Sequence, residues 1–348
     1  MTLPDSLASA WRRPVCGGQT LLLCAIFSAV CLCILEAAYS TPRPAPPNVA
    51  PGTLTAGTLR EQLAEAWRLI GSPRVDNEDV EGRYNFTTIG SQADQAPVRT
   101  RARIGKCTSL YGSYGQDYYR ALATHIKHNE AHHYDAYVLN RSILDGIWSK
   151  QAALLAVVLE ELEKPRNDRL EWLAWYDADT MVLNRLIPLE IFLPPPDLTV
   201  VQALVTQDWN GLNAGVFLLR VSEWTVEFLS AVLAFPIFRP DVQLTWSEQS
   251  AMDVLLREER FANGSVIVPA RWFNAYPGGA RGEKSLKIRK GDLSLHFAGI
   301  GDKVGAMQEY LNDLEANRTK WEIPLEETNL TSEAAWFWQG YRLRVDSD

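Results

Sequence analysis

From about residue 100 onward, short apolar blocks alternate along the chain with longer blocks of helical periodicity. The short blocks predict strands, which lie at residues 103–112, 134–140, 172–176, 198–205 and 214–220. The longer blocks predict helices, which lie at residues 117–133, 147–162 and 223–234, and Ser222 is positioned to cap the last of them. This alternation predicts an α/β fold with a largely parallel sheet between helices. Its ligand crevice should lie at the carboxyl ends of the strands.

The N-terminal segment has a different character. Arg12 and Arg13 precede an apolar run from Val15 to Leu35, which at ~1.5 Å per residue spans roughly 30 Å, the thickness of one hydrocarbon core. Because the basic pair comes first, the positive-inside rule predicts a type II signal anchor. A cleaved signal peptide is the alternative. The residues that follow are rich in proline and small side chains, which is typical of an extended stem.

These features predict four regions: a cytoplasmic tail (1–14), a transmembrane signal anchor (15–38), a Pro-rich stem and linker (39–97) and a lumenal domain (98–348). A hydrophobic content of 47% is enough to fill a core in that domain. The formal net charge of -8, without a stripe of Lys and Arg among aromatics, argues against nucleic acid as a partner.

Cysteines and glycosylation triplets agree with a lumenal location. Four of the five cysteines lie in or beside the apolar segment, so Cys107 is alone in the predicted lumenal part and no disulfide can form within it. Five N-x-S/T triplets all lie on the predicted lumenal side, beginning at Asn85, Asn140, Asn263, Asn317 and Asn329. Together they indicate a protein of the secretory pathway.

The stretch WLAWYDADTMVLN, residues 172–184, carries the most specific chemistry. Asp177 and Asp179 follow an apolar strand, where two neighbouring carboxylates need a cation or solvent to offset their repulsion and desolvation. Oxygen ligands favour Mg²⁺ or Mn²⁺, and an added imidazole favours Mn²⁺. A divalent metal also suggests a phosphate-bearing ligand. From the spacing alone, a turn or helix N-terminus decorated with aspartate stays an alternative.

Four ordered blocks, EWLAWYDADTMVLN, NAGVFLLRVSEW, VPARWFNAYP and GDLSLHFAG, resemble a fungal and plant family of Golgi glycosyltransferases. That family includes α-1,2-galactosyltransferases, α-1,6-mannosyltransferases and xyloglucan xylosyltransferases. The resemblance covers roughly residues 104–301. It implies a GT-A type, Rossmann-like catalytic domain, Mn²⁺, a nucleotide-sugar donor such as UDP-galactose or GDP-mannose, and transfer with retention to a glycan acceptor. It also implies the Golgi membrane as location, with possible homo- or hetero-oligomers.

The resemblance assigns roles to residues at matching positions. Asp177 and Asp179 match the D-x-D pair that holds the metal on the diphosphate, and His296 matches the histidine that completes the metal site. Asn213 matches a position near the donor sugar, although Ala214 stands where the family usually has Thr or Ser. The pair Glu248 and Gln249 matches an acidic-Gln pair at the active-site floor, where Glu248 could equally be a helix N-terminal residue.

Three further positions are candidates for donor binding. Lys150 matches a recurrent lysine that could neutralise donor phosphate, with a solvated helix lysine as the alternative. Lys303 is a second candidate for that task, in a loop that departs from the family sequence. Thr108 ends the first strand and should lie under the nucleotide base.

Three alternatives compete with this interpretation. A metal site on the histidines of the first helix (His125, His128, His132) is less favoured than a solvated helix face, because no carboxylate or thiolate completes it. A dehalogenase-type phosphatase motif requires Thr four residues after the first Asp, where this chain has Met181. A non-catalytic partner subunit of a Golgi glycosyltransferase complex stays as the alternative function.

Overall fold

The computed structural model describes residues 103–144, 146–278 and 284–345. The predicted tail, anchor and stem, and the triplet at Asn85, lie outside the described residues. No helix within the described ranges is both long and apolar enough to cross a membrane. Of the domain predicted for residues 98–348, the structure describes the part from Arg103 onward.

A strand overlaps each of the five predicted places. The described strands are β1 Ile104–Ser109, β2 Asp135–Leu139, β3 Trp172–Tyr176, β4 Thr180–Val182, β5 Ala203–Asp208, β6 Gly211–Arg220, β7 Ser265–Ile267 and β8 Ser294–His296. Six of them form a sheet in the order β2-β1-β3-β6-β5-β7, and β4 pairs with β8 in a separate ribbon. The pairs β1/β2, β1/β3 and β5/β7 are parallel, whereas β6 is antiparallel to both of its neighbours. The main sheet is thus largely parallel with one reversed strand.

Helices fill the intervals between strands. The described helices are α1 Gln116–His132, α2 Ser149–Glu163, α3 Glu223–Phe238, α4 Glu248–Leu255, α5 Glu259–Ala262, α6 Lys303–Ala316, α7 Arg318–Trp321 and α8 Leu330–Val345. Short 3₁₀ turns occupy Gly146–Trp148, Leu189–Phe192, Ala270–Trp272 and Leu325–Glu327. The predicted cap is confirmed, since the Ser222 hydroxyl accepts a hydrogen bond from the Thr225 N–H at the start of α3.

Both faces of the sheet are buried, which explains why its central strands are apolar without alternation. On β3, Leu173 and Trp175 pack into a core with α2 and α3, while Trp172, Ala174 and Tyr176 face a second core that includes α8. All five side chains are at most 2% exposed. The result is a mixed α/β fold with a central sheet flanked by helices, as the alternating blocks predicted.

Two strand boundaries differ from the prediction. The apolar pattern predicts a strand from residue 198, but Leu198 and Val201 close consecutive turns through hydrogen bonds to the carbonyls of Pro195 and Leu198 (2.9 and 3.2 Å). The strand β5 therefore begins only at Ala203. In contrast, β6 begins earlier than predicted, at Gly211, so Asn213 lies within a strand and not in a turn before it.

Candidate active site

The two aspartates and His296 meet at the carboxyl end of β3. Asp177 directly follows β3, and its N–H donates to the Gly215 carbonyl of neighbouring β6 (2.8 Å). Asp179 directly precedes β4, whose Thr180 pairs with His296 on β8. One ligand atom from each of Asp177, Asp179 and His296 lies within 4.8 Å of the other two. Folding thus brings together three side chains of the types that bind a divalent cation.

The position of His296 depends on close packing against β6. A Cβ atom added at Gly215 would lie 2.0 Å from His296 Cε1, so only glycine leaves room for the ring. The imidazole is 3% exposed, with Nδ1 2.9 Å from the Asn274 amide oxygen and Nε2 3.4 Å from Asp179 Oδ1. The ring is thereby held with Nε2 toward the aspartate pair.

His296 and Lys303 contact the Asp179 carboxylate from two sides. Lys303, the first residue of α6, forms a close ion pair with Asp179 Oδ2, while His296 faces Oδ1. Burial by itself raises the pKa of Asp179, but His296 and Lys303 outweigh it and hold that pKa well below its usual range. The carboxylate is therefore ionised at neutral pH and available as a ligand. Lys303 is about one third exposed, so its ammonium also reaches the surface of the site.

Lys150 lies beneath the site as an internal counter-ion. Its side chain is 8% exposed and its ammonium contacts three acceptors: Asp177 Oδ1 (3.0 Å), Glu248 Oε1 (3.1 Å) and the Ala214 carbonyl (2.8 Å). Burial lowers the pKa of Lys150, but Asp177 and Glu248 outweigh it and raise that pKa. All three ammonium protons thus have a protein acceptor, and the alternative of a solvated helix lysine is wrong.

Glu248 and Gln249 begin α4 at the floor of the site. Glu248 is 3% exposed, and burial raises the pKa of its carboxyl against the opposing effect of Lys150. Gln249 accepts a hydrogen bond from the Ala214 N–H through Oε1 (2.9 Å). Gln249 therefore contacts β6 directly, whereas Glu248 is connected to β6 through Lys150, which donates to the Ala214 carbonyl.

Asn213 is within hydrogen-bonding distance of four protein groups. Its Oδ1 accepts from the N–H of Gly215 and from the amide of Asn274, both at 2.9 Å. Its Nδ2 donates to Asp208 Oδ2 (2.8 Å) and to the Tyr276 hydroxyl (2.7 Å). The donors and acceptors of this side chain are used within the protein, in the strand next to the aspartates.

The polar residues Thr206, Asp208, Asn274 and Tyr276 are not singled out by sequence patterns. Thr206 and Asp208 lie on β5, and Asn274 and Tyr276 lie between the 3₁₀ turn Ala270–Trp272 and β8. A sequence signal is present, because Asn274 and Tyr276 belong to the block VPARWFNAYP. Nothing in the sequence, however, connects them with β5. Thr108, predicted to lie under a base, is half-buried near the end of β1, where it pairs with Tyr176.

The histidines of α1 do not form the solvated face that was predicted. His125 and His128 are buried, because α1 packs this stripe against β4 and the residues after it. His125 Nε2 bonds to Thr180 Oγ1 (3.0 Å), and His128 Nε2 donates to the Ile187 carbonyl (2.9 Å). Burial, reinforced by the charge of Lys106, lowers the pKa of both imidazoles well below the usual value. The prediction of solvation was wrong because it ignored the partner surface.

The fold and the site define an α/β domain with a candidate cation centre at the carboxyl end of its central strands. Comparison with known sequences then connects this domain with glycosyltransferases. Residues 196–303 match the model of the galactosyl transferase GMA12/MNN10 family. The matched segment contains Asn213, Glu248, Gln249 and His296, and it ends at Lys303.

Three relatives show the range of the similarity. The probable alpha-1,2-galactosyltransferase gmh1 of Schizosaccharomyces pombe is 26% identical over 45% of this chain and 54% of its own length. The probable alpha-1,6-mannosyltransferase MNN10 of Saccharomyces cerevisiae is 29% identical over 43% of this chain and 48% of its own length. Galactomannan galactosyltransferase 1 of Cyamopsis tetragonoloba is 26% identical over 56% of this chain and 52% of its own length. The chain spans about half the length of these curated relatives.

Solved structures of glycosyltransferases are also similar. A glycosyltransferase involved in the glycosylation of the major capsid of PBCV-1 aligns over 60% of this chain and 98% of its own chain, with a TM-score of 0.46 and 12% sequence identity. The apo form of the glycosyltransferase GlyE from Streptococcus pneumoniae aligns over 65% of this chain and 66% of its own chain, with a TM-score of 0.41 and 16% sequence identity. The predicted family resemblance is confirmed by the family model, whose matched segment contains three of the four blocks, and by the curated relatives, so the chain is a homologue of glycosyltransferases.

Proposed function

We propose that this chain is a retaining hexosyltransferase with a GT-A fold, which moves galactose or mannose from a nucleotide sugar to a glycan acceptor and depends on Mn²⁺. The observation that carries the proposal is the convergence of Asp177, Asp179 and His296 within 4.8 Å at the carboxyl end of β3. In open α/β sheets this edge is where ligands bind. The matching family model and relatives supply the reaction class.

The donor set fits a divalent cation. Two carboxylates and one imidazole offer oxygen and nitrogen ligands, a combination that suits Mn²⁺ better than an all-oxygen set would. Asp179 is ionised, and His296 Nε2 already faces its Oδ1 at 3.4 Å. When bound there, the cation would neutralise charge that develops on the departing nucleoside diphosphate.

The remaining polar residues of the site would hold the donor and the strand beneath it. Lys303 reaches the surface beside Asp179, where its ammonium could bind a donor phosphate oxygen. Lys150, by contrast, would act from below by holding Asp177 and Glu248 in place. Because the Glu248 carboxylate is paired and buried, attack by the acceptor hydroxyl on the same face is favoured over a double displacement through this residue.

The Golgi lumen is the proposed location. The anchor predicted at residues 15–38 would present the domain to the lumen, in type II orientation. Four triplet asparagines lie within the described ranges and are exposed on the surface: Asn140, Asn263, Asn317 and Asn329. Exposure is a requirement for glycan attachment, and these positions satisfy it.

The test is release of nucleoside diphosphate by the full chain, purified in detergent and offered a panel of UDP- and GDP-sugars with and without Mn²⁺. We expect Mn²⁺-dependent release from one donor, increased by the correct glycan acceptor. Asp179→Asn should abolish this release without loss of the folded circular dichroism spectrum, because the change removes a ligand and keeps the shape. Asp241→Asn, at an exposed aspartate outside the site, is the matched control.

Wild-type release by Asp179→Asn would reject the metal assignment. Absence of release and of binding for every donor, in a folded protein, would instead favour the non-catalytic partner subunit. Glycan product analysis of the active donor would then give the anomeric configuration, where an inverted product would reject retention.

A further inference from the structure

We propose that Asn274 is a positioning residue that fixes the tautomer of His296, so that Nδ1 carries the proton and the lone pair of Nε2 points at the cation site. The inference rests on the proposed function for the identity of the site as a cation centre. Its structural part, the tautomer, stands on hydrogen bonds alone. A chain of bonds from the Gly215 backbone through Asn213 and Asn274 to His296 carries the argument.

The chain begins at two groups whose roles are fixed by chemistry. A backbone N–H can only donate and an ionised carboxylate can only accept. The Gly215 N–H lies 2.9 Å from one end of the Asn213 amide, which must therefore be the oxygen. Asp208 Oδ2 lies 2.8 Å from the other end, which must be the NH₂ group. The orientation of Asn213 is thus determined at both ends.

The orientation of Asn274 follows from that of Asn213. The Asn274 amide nitrogen lies 2.9 Å from Asn213 Oδ1 and 2.6 Å from Thr206 Oγ1, so it donates to both. A flipped Asn274 would place its own oxygen against the Asn213 oxygen. Asn274 and Thr206 are both 0% exposed, which leaves no bulk water to compensate such a contact.

His296 is the end of the chain. The Asn274 oxygen lies 2.9 Å from His296 Nδ1 and has no proton to give, so Nδ1 must donate. In the neutral imidazole this leaves Nε2 with a lone pair, facing Asp179 Oδ1 at 3.4 Å. A metal-binding histidine commonly donates its second ring N–H to such an acceptor, which fixes the ring as a ligand. Here the Asn274 amide, whose orientation is set by Asn213, provides that acceptor.

The tautomer can be measured directly in the metal-free full chain. The sequence contains only five histidines, so labelling with ¹⁵N-histidine gives a simple long-range ¹H–¹⁵N spectrum, with His296→Gln used for assignment. We expect His296 to be protonated at Nδ1 in the wild type. Asn274→Leu, of similar size but without an acceptor, should shift His296 toward the Nε2-protonated form. Asn274→Asp retains an acceptor and should keep Nδ1 protonated.

Mn²⁺ affinity provides the second measurement, by calorimetry without any donor. Loss of such a supporting hydrogen bond typically weakens metal binding about 10- to 100-fold, and this is expected for Asn274→Leu. Asn274→Asp should stay much closer to the wild type. The matched control is Asn184→Leu, at a buried amide that donates to the Gly291 and Ile323 carbonyls instead of to the site. It removes comparable hydrogen bonds and should leave Mn²⁺ affinity and the His296 spectrum unchanged.

The two proposals fail in different ways. A wild-type His296 that carries a proton on Nε2 and none on Nδ1 would overturn the positioning role even in an active transferase, and this measurement does not depend on the folding of any variant. Equal Mn²⁺ affinity in Asn274→Leu and the wild type would overturn it as well. A third outcome separates the two proposals: His296 is protonated at Nδ1 in the wild type and loses this proton in Asn274→Leu, but the wild type releases no nucleoside diphosphate. This result would support the positioning role and count against the proposed function.

Discussion

The ring of His296 occupies the space that a side chain at position 215 would fill. A Cβ at Gly215 would approach the ring atoms Cε1, Nδ1 and Nε2 to 2.0, 2.6 and 2.7 Å. Real Cβ atoms essentially never come within 3.0 Å of a heavy atom of a non-neighbouring residue, so the ring and a methyl group cannot both be there. The absence of a side chain on β6 is therefore what allows the histidine of β8 to reach the aspartates.

Gly215→Ala should displace His296 and weaken Mn²⁺ binding by at least about tenfold, the scale seen when support of a metal ligand is lost. Overpacking should also lower the free energy of unfolding by about 1–3 kcal/mol. Calorimetry with Mn²⁺ and urea unfolding measure the two effects. Gly340→Ala, in helix α8 with open space around the added methyl, is the control and should keep Mn²⁺ affinity. Unchanged affinity in Gly215→Ala would contradict the assignment of His296 as a ligand.

Lys303→Met should change metal and donor binding in opposite directions. The Lys303 ammonium contacts Asp179 Oδ2 and so competes with a cation for that oxygen. Its removal should tighten Mn²⁺ alone by up to about fivefold, in line with the modest free energy of a partly exposed ion pair. The nucleotide sugar should bind more weakly, because a positive charge at the phosphates is lost. Calorimetry with each ligand separates the two, and a parallel change in both would argue against this dual role.

Lys150→Met should destabilise the fold strongly. The change leaves Glu248 buried without its counter-ion, and removal of one partner of a buried pair costs about 3–5 kcal/mol. Adding Glu248→Gln should recover part of this loss, because the uncompensated carboxylate is then gone. The four unfolding free energies of a double-mutant cycle give the coupling. Additive effects would mean that the two residues do not depend on each other.

Stability should fall as the pH drops below about 6.5, the ordinary pKa of histidine in an unfolded chain. Burial, with Lys106 next in effect, lowers the folded pKa of His125 and His128, so between the folded and unfolded pKa values the unfolded chain binds more protons. Below pH 6.5 each histidine should therefore reduce the free energy of unfolding by about 1.4 kcal/mol per pH unit, and the histidines contribute no such loss above it.

Urea unfolding between about pH 7 and pH 5.5 measures how steeply the free energy of unfolding changes with pH. This range is chosen because most carboxyl groups titrate below it. His125→Gln, which can still donate to Thr180, should remove about half of this slope if the two histidines contribute equally. A wild-type stability that is constant over this interval would show that the histidines become protonated without unfolding.

Much of the fold could be predicted from local patterns. The block WLAWY predicts a strand because its apolar residues do not alternate, and the structure shows why: Trp175 and Tyr176 pack into cores on opposite faces of the sheet. The same block ends at the sheet edge where ligands bind, so Asp177 and Asp179 are candidates on the sequence pattern alone.

Solvation of single residues was harder to predict. The α1 histidines share one helical stripe, but periodicity does not say whether a stripe meets solvent or β4. Lys150 on α2 illustrates the same limit, since its two carboxylate partners, Asp177 after β3 and Glu248 on α4, are remote in sequence. The partners of such residues are determined by packing between elements.

Three properties could be predicted from sequence patterns: the alternation of strands and helices, the paired aspartates after a buried strand, and the resemblance to a glycosyltransferase family. These properties are local, because periodicity and motif spacing are read within one segment. The packing of His296 against Gly215 and its hydrogen bond to Asn274 could not be predicted in this way and are seen only in the folded protein. These contacts join β5, β6, β8 and the loop before β8, which are distant in sequence. Hydrogen bonds and steric exclusion act only over short distances, so these contacts form only when the elements pack together.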